Sequence, residues 1–372
     1  MKGRITPKEK SGQIDFVLLI IIMSIMLFGF IMLFSANSPE AANGGIYSVL
    51  MRQGLIFGLG VATLFASMNF DYHRYSRHRK KILIITVSIM LAVPLFGFVS
   101  HGATRQISLG AISFQPSEFA KVAMVLYFAS FLSDPKTQNI TTDRTNLFKA
   151  IAVMGAICIT CYIQRHLSAT VVLALIIIMM MFVAGLSYRV VGFGAIAAVI
   201  LLFVATLGTG YRMDRVVAFL DPFKYKQGIG WQIVQSLLAV GSGGMFGLGL
   251  GQSRQKYNYL PEAQNDYIYA VVCEELGFIG GIAVILLFAL FVWRGMSIAL
   301  KAKDKLGMLT AFGITSIIGV QMLINIAVVL SLMPSTGMQL PLFSSGGSSM
   351  IATMWGMGIL LNISKTSRIK KI

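Results

Sequence analysis

Long apolar stretches alternate with short polar ones along almost the whole chain, and each apolar stretch is about as long as a bilayer is thick. Set against charged or Gly/Pro-rich breaks, they predict helices near 16–35, 54–70, 82–99, 118–133, 148–163, 168–185, 190–208, 267–293, 307–330 and 346–363. About 20 apolar residues at 1.5 Å rise cross a hydrocarbon core of about 30 Å, so these runs are expected to span a membrane. The first begins at Phe16, behind the basic segment Met1 to Lys10; no small-residue cleavage site follows it, so it is expected to be a retained span. Most connections are short, and no repeat of fixed period interrupts the pattern. The exception lies between the seventh and eighth spans. The expected architecture is an all-α polytopic membrane protein of about ten transmembrane helices, one domain over 1–372. It has tails at 1–15 and 364–372 and one large loop at 209–266.

Composition agrees with the pattern: 56% hydrophobic residues, 12% charged residues and a mean hydropathy of +0.77 exclude a soluble globular domain. A net charge of +17 would suggest nucleic acid in a soluble protein, but here the placement of the cations matters more than their sum. Alternate connections collect 21 of the 31 Lys and Arg residues on the side that holds both termini. The positive-inside rule therefore puts both termini in the cytoplasm and gives nucleic acid no role. The opposite side receives the long loop with Arg212, Arg215, Lys224, Lys226, Arg254 and Lys256, against the acids Asp214, Asp221 and Glu262. A loop that long is translocated regardless of its charge. Its excess of cations suggests an anionic substrate or lipid headgroup on the outer face, the alternative being charge scattered over a solvated loop.

Ionisable residues inside the membrane are costly, so each is a functional candidate. Glu118 and Lys121 stand three apart behind Pro116 and Ser117, a helix start that puts both on one face, as a structural ion pair or as a site for a charged substrate. Asp266 ends the long loop just before the eighth span, where a helix N-terminus favours an anion; capping alone would also explain it. Glu274 lies roughly 12 Å deeper along that helix and about 80° around, close enough in angle to share a cavity with Asp266, whereas Glu275 points the other way and is expected to brace another helix. The glycine-rich run from Val240 to Gly251 lacks the ending of a nucleotide loop, and with the run from Leu340 to Ser349 it reads first as close packing. The amides of the former could approach a pyrophosphate. Cys158, Cys161 and Cys273 imply neither disulfides nor zinc, no His/Cys/Asp cluster has metal-ligand spacing, and the four histidines read as solvated or interfacial.

These residues resemble the SEDS proteins (shape, elongation, division and sporulation), bacterial peptidoglycan glycosyltransferases that include RodA, FtsW and SpoVE. The resemblance covers nearly the whole chain. It rests on Phe34-Ser-Ala-Asn, Gly102-Ala-Thr-Arg, Gln115-Pro-Ser-Glu-Phe-Ala-Lys, Arg215-Val-Val-Ala-Phe-Leu-Asp-Pro, and above all on Gln235-Ser-Leu-Leu-Ala-Val-Gly-Ser-Gly-Gly and Gly251-Gln-Ser-Arg-Gln-Lys-Tyr-Asn-Tyr-Leu-Pro-Glu-Ala-Gln-Asn-Asp. The wording is similar to the FtsW/SpoVE branch. The resemblance implies ten spans in the bacterial cytoplasmic membrane and polymerisation of lipid II on its outer face. It also implies a class B penicillin-binding protein as partner, with membrane lipid around both. It puts the family's catalytic loop carboxylate on Asp266, preceded by Glu262, its fourth-span pair on Glu118 and Lys121, and its outer arginine on Arg105. Two departures stand out: Gln164-Arg-His-Leu-Ser-Ala-Thr replaces the family's Gln-Pro-Asp-Leu-Gly-Thr, and Ser344-Ser-Gly-Gly-Ser replaces Ser-Tyr-Gly-Gly-Ser.

The chemistry then expected is an inverting displacement, with Asp266 as base and Arg105, Lys121, Arg212 and Arg215 as candidates to stabilise the departing pyrophosphate. Glu118, Glu262 and Glu274 complete the expected substrate-binding set. A divalent ion, Mg2+ or Mn2+, could assist through Glu262 or Asp266, although no dedicated site or other cofactor is evident. Two other classes stay open at this point: a lipid II flippase using Glu118 and Lys121 as a headgroup pathway, and a non-catalytic scaffold for division or spore-wall proteins.

Overall fold

A computed structural model describes residues 12–38, 45–96, 98–100, 103–109, 112–137, 143–164, 166–194, 196, 210–257 and 259–367. The apolar runs fold as helices: α1 Phe16–Ala36, α2 Ile46–Asn69, a short α3 His73–Arg77, α4 Arg79–Phe96 and α5 Pro116–Ser133. After these come α6 Arg144–Ile163, α7 Leu167–Val183, α8 Gly210–Leu220, α9 Trp231–Ser242, α10 Ile268–Leu300, α11 Lys305–Val329 and α12 Gly347–Ser364. Nine of the ten expected runs thus carry a helix among the described residues. The other, 190–208, is helical up to 194, and 197–209 lies outside the described residues. Among the described residues, five helices are long and apolar enough to cross a membrane by length and composition: α1, Leu50–Asn69 of α2, α6, α10 and α11.

Polar residues set several helix starts. Asp15 accepts from the Leu18 amide at 2.9 Å to cap α1, Asp143 from Thr145 at 2.9 Å to cap α6, and Asp304 from Gly307 at 2.7 Å to cap α11. Pro116 opens α5, where its missing N–H costs nothing. The bundle also carries a small feature that the all-α expectation left out. Phe98–Ser100, Ala103–Leu109 and Ile112–Phe114 pair antiparallel in the order β1-β2-β3, Ile107 opposite Phe114 and Leu109 opposite Ile112. The alternation Ile-Ser-Leu against Ile-Ser-Phe is a strand pattern, and α4 stops at Phe96, with Pro94 in its last turn.

At the centre stands α5, buried on every face from Pro116 to Leu132 apart from Phe119. Around it pack α4, α7, α11 and α12; α12 lies along α2, and α10 lies against α1 and α11. At the end that holds the termini, Arg294 pairs with Asp15 at 2.8 Å, and the Asp15 amide donates to Ser364 Oγ at 3.1 Å. Arg294 is therefore inside α10 and not at its end, because a buried carboxylate on α1's cap neutralises it.

The large loop is anchored where α10 departs from helical geometry. Gly277 takes φ 69°, which only glycine adopts at little cost, and its turn frees backbone groups that the glycine-rich run collects. Leu248 and Gly249 amides donate to the Glu274 and Glu275 carbonyls at 3.0 Å each, and the Phe278 amide donates to the Gly244 carbonyl at 2.8 Å. Close backbone packing is thus what these glycines do, and the amides of Leu248 and Gly249 are committed within the protein.

Candidate active site at the Asp266 end of the bundle

Asp266 sits in a tight turn immediately before α10. Glu262 adopts a left-handed φ of 56°, and its carbonyl accepts the amides of Asn265 and Asp266 at 3.0 Å each. From the other side Asn325, fully buried on α11, donates through Nδ2 to the carbonyls of Asp266 and Met338, both at 2.7 Å. The Asp266 backbone is thereby fixed from two elements while its carboxylate stays half-buried. Across from it Gly337 has φ 68°, and a Cβ there would stand 3.4 Å from Asp266 Oδ2, so the Gly337 backbone lies close to the carboxylate.

One segment, 330–346 between α11 and α12, gathers the candidate residues. Arg215 of α8 donates to the Ser335 carbonyl at 2.8 Å, and Ser168 of α7 donates to the Thr336 carbonyl. Gly337 then faces Asp266. Farther along, Ser344 Oγ donates to the Asn265 carbonyl at 2.7 Å, the Ser345 amide to the Gln264 carbonyl at 3.1 Å, and Ser345 Oγ to Asn265 Oδ1. Asp266 and Arg215 therefore meet the same segment two residues apart, although they are 51 positions apart in the chain. The serines following it continue to the fourth-span pair: Ser348 Oγ accepts from the Gln115 amide at 2.9 Å, and Ser349 hydrogen-bonds Glu118.

Glu118 and Lys121 form the ion pair their spacing predicts, with Lys121 Nζ donating to both carboxylate oxygens at 2.8 Å. They line a narrow crevice with Ile314, Ile317 and Gln321 of α11 and Thr353 of α12. His166 joins them. It is 4% exposed, not solvated as its place at a span end suggested, and its Nδ1 is 3.1 Å from Ser117 Oγ. The sequence held one signal for this: His166 occupies the position of the acid in the expected Gln-Pro-Asp-Leu motif. Asn325 was also missed, and a lone amide in an apolar run is the signal that would have found it.

Glu274 does not open toward Asp266. Its carboxylate is 1% exposed and accepts from Ser253 Oγ at 2.5 Å and the Arg254 amide at 2.9 Å, holding the turn that presents Arg254. Glu275 braces as its angle predicted, accepting from Ser35 of α1 at 2.7 Å and from Lys256 Nζ at 2.8 Å. Arg105 lies on β2 and Arg212 on α8; their side chains lie outside the described residues. Among the described residues no three His, Cys, Asp or Glu side chains converge as a metal cage, and Glu262 Oε2 already accepts from Asn265 Nδ2 at 2.7 Å.

Known proteins resemble this chain in sequence and in fold. The FTSW_RODA_SPOVE family model, described as "Cell cycle protein", matches residues 15–369. Stage V sporulation protein E of Bacillus subtilis is 40% identical over 363 residues, covering 96% of this chain and 99% of that protein. A probable peptidoglycan glycosyltransferase FtsW of Geobacter sulfurreducens is 37% identical, covering 94% and 95%. Among solved structures, a chain from "Structural coordination of polymerization and crosslinking by a peptidoglycan synthase complex" aligns with TM-score 0.78 at 27% identity, covering 94% of this chain and 97% of that one. The rod shape determining protein RodA of Thermus thermophilus has the same fold, at TM-score 0.71 and 24% identity over 96% of this chain and 98% of that one. The chain belongs to the FtsW/RodA/SpoVE family of membrane proteins.

Proposed function

We propose that this chain is a peptidoglycan glycosyltransferase that polymerises lipid II into β-1,4 glycan strands, in cell division or spore-wall synthesis. In this reading both termini are cytoplasmic and Asp266 faces the outer surface of the cytoplasmic membrane, since the cation-rich connections lie at the other end. The observation that carries it is the Asp266 turn: a half-buried carboxylate on a backbone fixed by Asn325 and Glu262, sharing the 335–337 segment with Arg215.

Lipid II joins its disaccharide-pentapeptide to undecaprenol through an α-linked pyrophosphate, and the strand is β-linked, so a single inverting displacement suffices. Asp266 takes the proton of the acceptor GlcNAc 4-OH. The freed oxygen bonds to C1 of the donor MurNAc, and the C1–O bond breaks with its electron pair leaving on the lipid pyrophosphate. Arg215, with Arg105 and Arg212, offsets the charge that develops there, and Lys121 with Glu118 orients the headgroup from the crevice. Glu262 shapes the turn, and Glu274 acts at one remove by fixing Arg254. A divalent ion, Mg2+ or Mn2+, would in this reading arrive on the pyrophosphate and meet Glu262 or Asp266. A class B penicillin-binding protein is the proposed partner.

The test is glycan polymerisation from labelled lipid II by the purified protein, with its cognate penicillin-binding protein carrying a disabled transpeptidase. Asp266→Asn is expected to lower the rate by about 10²- to 10⁴-fold while remaining folded. Equal ladders from wild type and variant would remove Asp266 as base. Absence of ladders from wild type would reject the polymerase and leave the flippase or the scaffold, which headgroup transfer across vesicles would tell apart.

A further inference from the structure

We propose that a cleft at the end of the bundle opposite Asp266 binds the headgroup of an anionic phospholipid from the inner leaflet. The cleft, of about 540 Å³, lies between the 76–81 turn and the end of α5, lined among others by Arg77, Arg79, Lys80 and Lys81, with Asp134 its sole carboxylate among the described residues. That carboxylate is already used. Arg79 Nη2 donates to Asp134 at 2.7 Å and Nη1 to the Ser130 carbonyl at 2.9 Å, so these two groups form a fixed wall and neutralise each other. Arg77, Lys80 and Lys81 are exposed, and among the described residues none of them has a carboxylate partner. Three unbalanced cations around a concave space call for an anion.

The helix below the cleft says what kind of anion. On α4 the positions one turn beyond Lys80 and Lys81 are Ile84 and Ile85, 64% and 57% exposed, and Ile89 continues the stripe at 38%. A ligand lying along this face meets charge at its head and bare hydrocarbon below it. Free phosphate uses the first and gains nothing from the second, whereas a phospholipid uses both. The inner leaflet follows from the orientation proposed above; the binding itself does not depend on it.

Native mass spectrometry of the full-length protein in detergent tests the site, because micelles offer lipid to both ends. Phosphatidylglycerol is expected to be retained over phosphatidylcholine. The triple variant Arg77→Gln, Lys80→Gln, Lys81→Gln is expected to weaken that retention about fivefold for each cation removed. A charge-matched control, Lys301→Gln, Lys303→Gln, Lys305→Gln, is expected to bind as wild type does. Should the first triple variant fail to fold, Lys81→Gln alone reads the same effect at about fivefold. Equal losses in the two triple variants, equal retention of phosphatidylcholine, or displacement of the lipid by an equal concentration of inorganic phosphate would each overturn the proposal.

Discussion

Two buried lysine–carboxylate pairs stand in this bundle at the same 2.8 Å separation, and they are built differently. Lys256 and Glu275 come from the loop and α10, both fully buried. All three donors of the ammonium are met, by Glu275, Ser35 Oγ and the Gly251 carbonyl. Glu118 and Lys121 sit on one helix, three residues apart. Both described bonds of Lys121 return to Glu118, and the pair faces a crevice with polar neighbours on two other helices, Gln321 and Thr353. A pair satisfied by distant segments ties them together. The described bonds of the Lys121 ammonium tie no second segment, so its cost inside the membrane points to use.

The sharpest way to break this comparison is to remove one charge from each pair. Lys256→Ala leaves Glu275 buried and unpaired, and the expected loss is about 3–5 kcal/mol in unfolding measurements in detergent. The double variant Lys256→Met, Glu275→Leu is expected to recover most of it, because both desolvation costs go together. Glu118→Gln is expected to lower polymerisation about 10- to 100-fold with a smaller fall in melting temperature than Lys256→Ala. If it melts the protein as much and spares the rate, the two pairs are alike. His166→Ala removes the Ser117 contact, worth about 1 kcal/mol, and is expected to alter KM for lipid II more than kcat.

The smallest effect lies at the opposite end. His73 bridges Asp71 and Asp304 at 2.8 and 2.7 Å. Partial burial lowers its affinity for a proton, but its hydrogen bonds with Asp71 and Asp304 and their charges raise it overall above the ordinary 6.5. Partial burial likewise opposes the change at Asp71, whose carboxyl is nevertheless held below its ordinary 3.8 by the His73 amide and ring. The histidine's contribution is therefore complete below its unfolded value and is lost as pH rises through its raised folded value. The aspartate's is lost as pH falls through its depressed one. Both groups are half exposed, so solvent screening keeps the effect small. A melting-temperature gap between wild type and His73→Gln that closes on the alkaline side is the expected result; a gap constant with pH would show that the ring only packs.

Much of the bundle was legible because lipid imposes one rule, long apolar runs, and the runs at Phe16, Leu167 and Lys305 begin within three residues of their helices. Boundaries failed where a charge had a partner that the sequence does not reveal. Arg294 looked like the end of a span, yet Asp15 neutralises it and α10 continues to Leu300. The start of α2 at Ile46 was missed because Arg52 and Gln53 broke the apolar run. At the site, the local facts were readable: the Glu118 and Lys121 spacing, and Asp266 ahead of a helix. What depends on tertiary closure was not, as the burial of His166, the reach of Asn325 and the turning of Glu274 into its own loop all require knowing which segments meet.

The left-handed Gly277 also constrains how the protein is made. Residues 243–256 are synthesised before Glu274 and Glu275, whose carbonyls are the acceptors for Leu248 and Gly249. Until α10 is synthesised, that stretch has no template. The order of synthesis therefore makes this loop one of the last parts of its end of the bundle to take shape, after the helices preceding it.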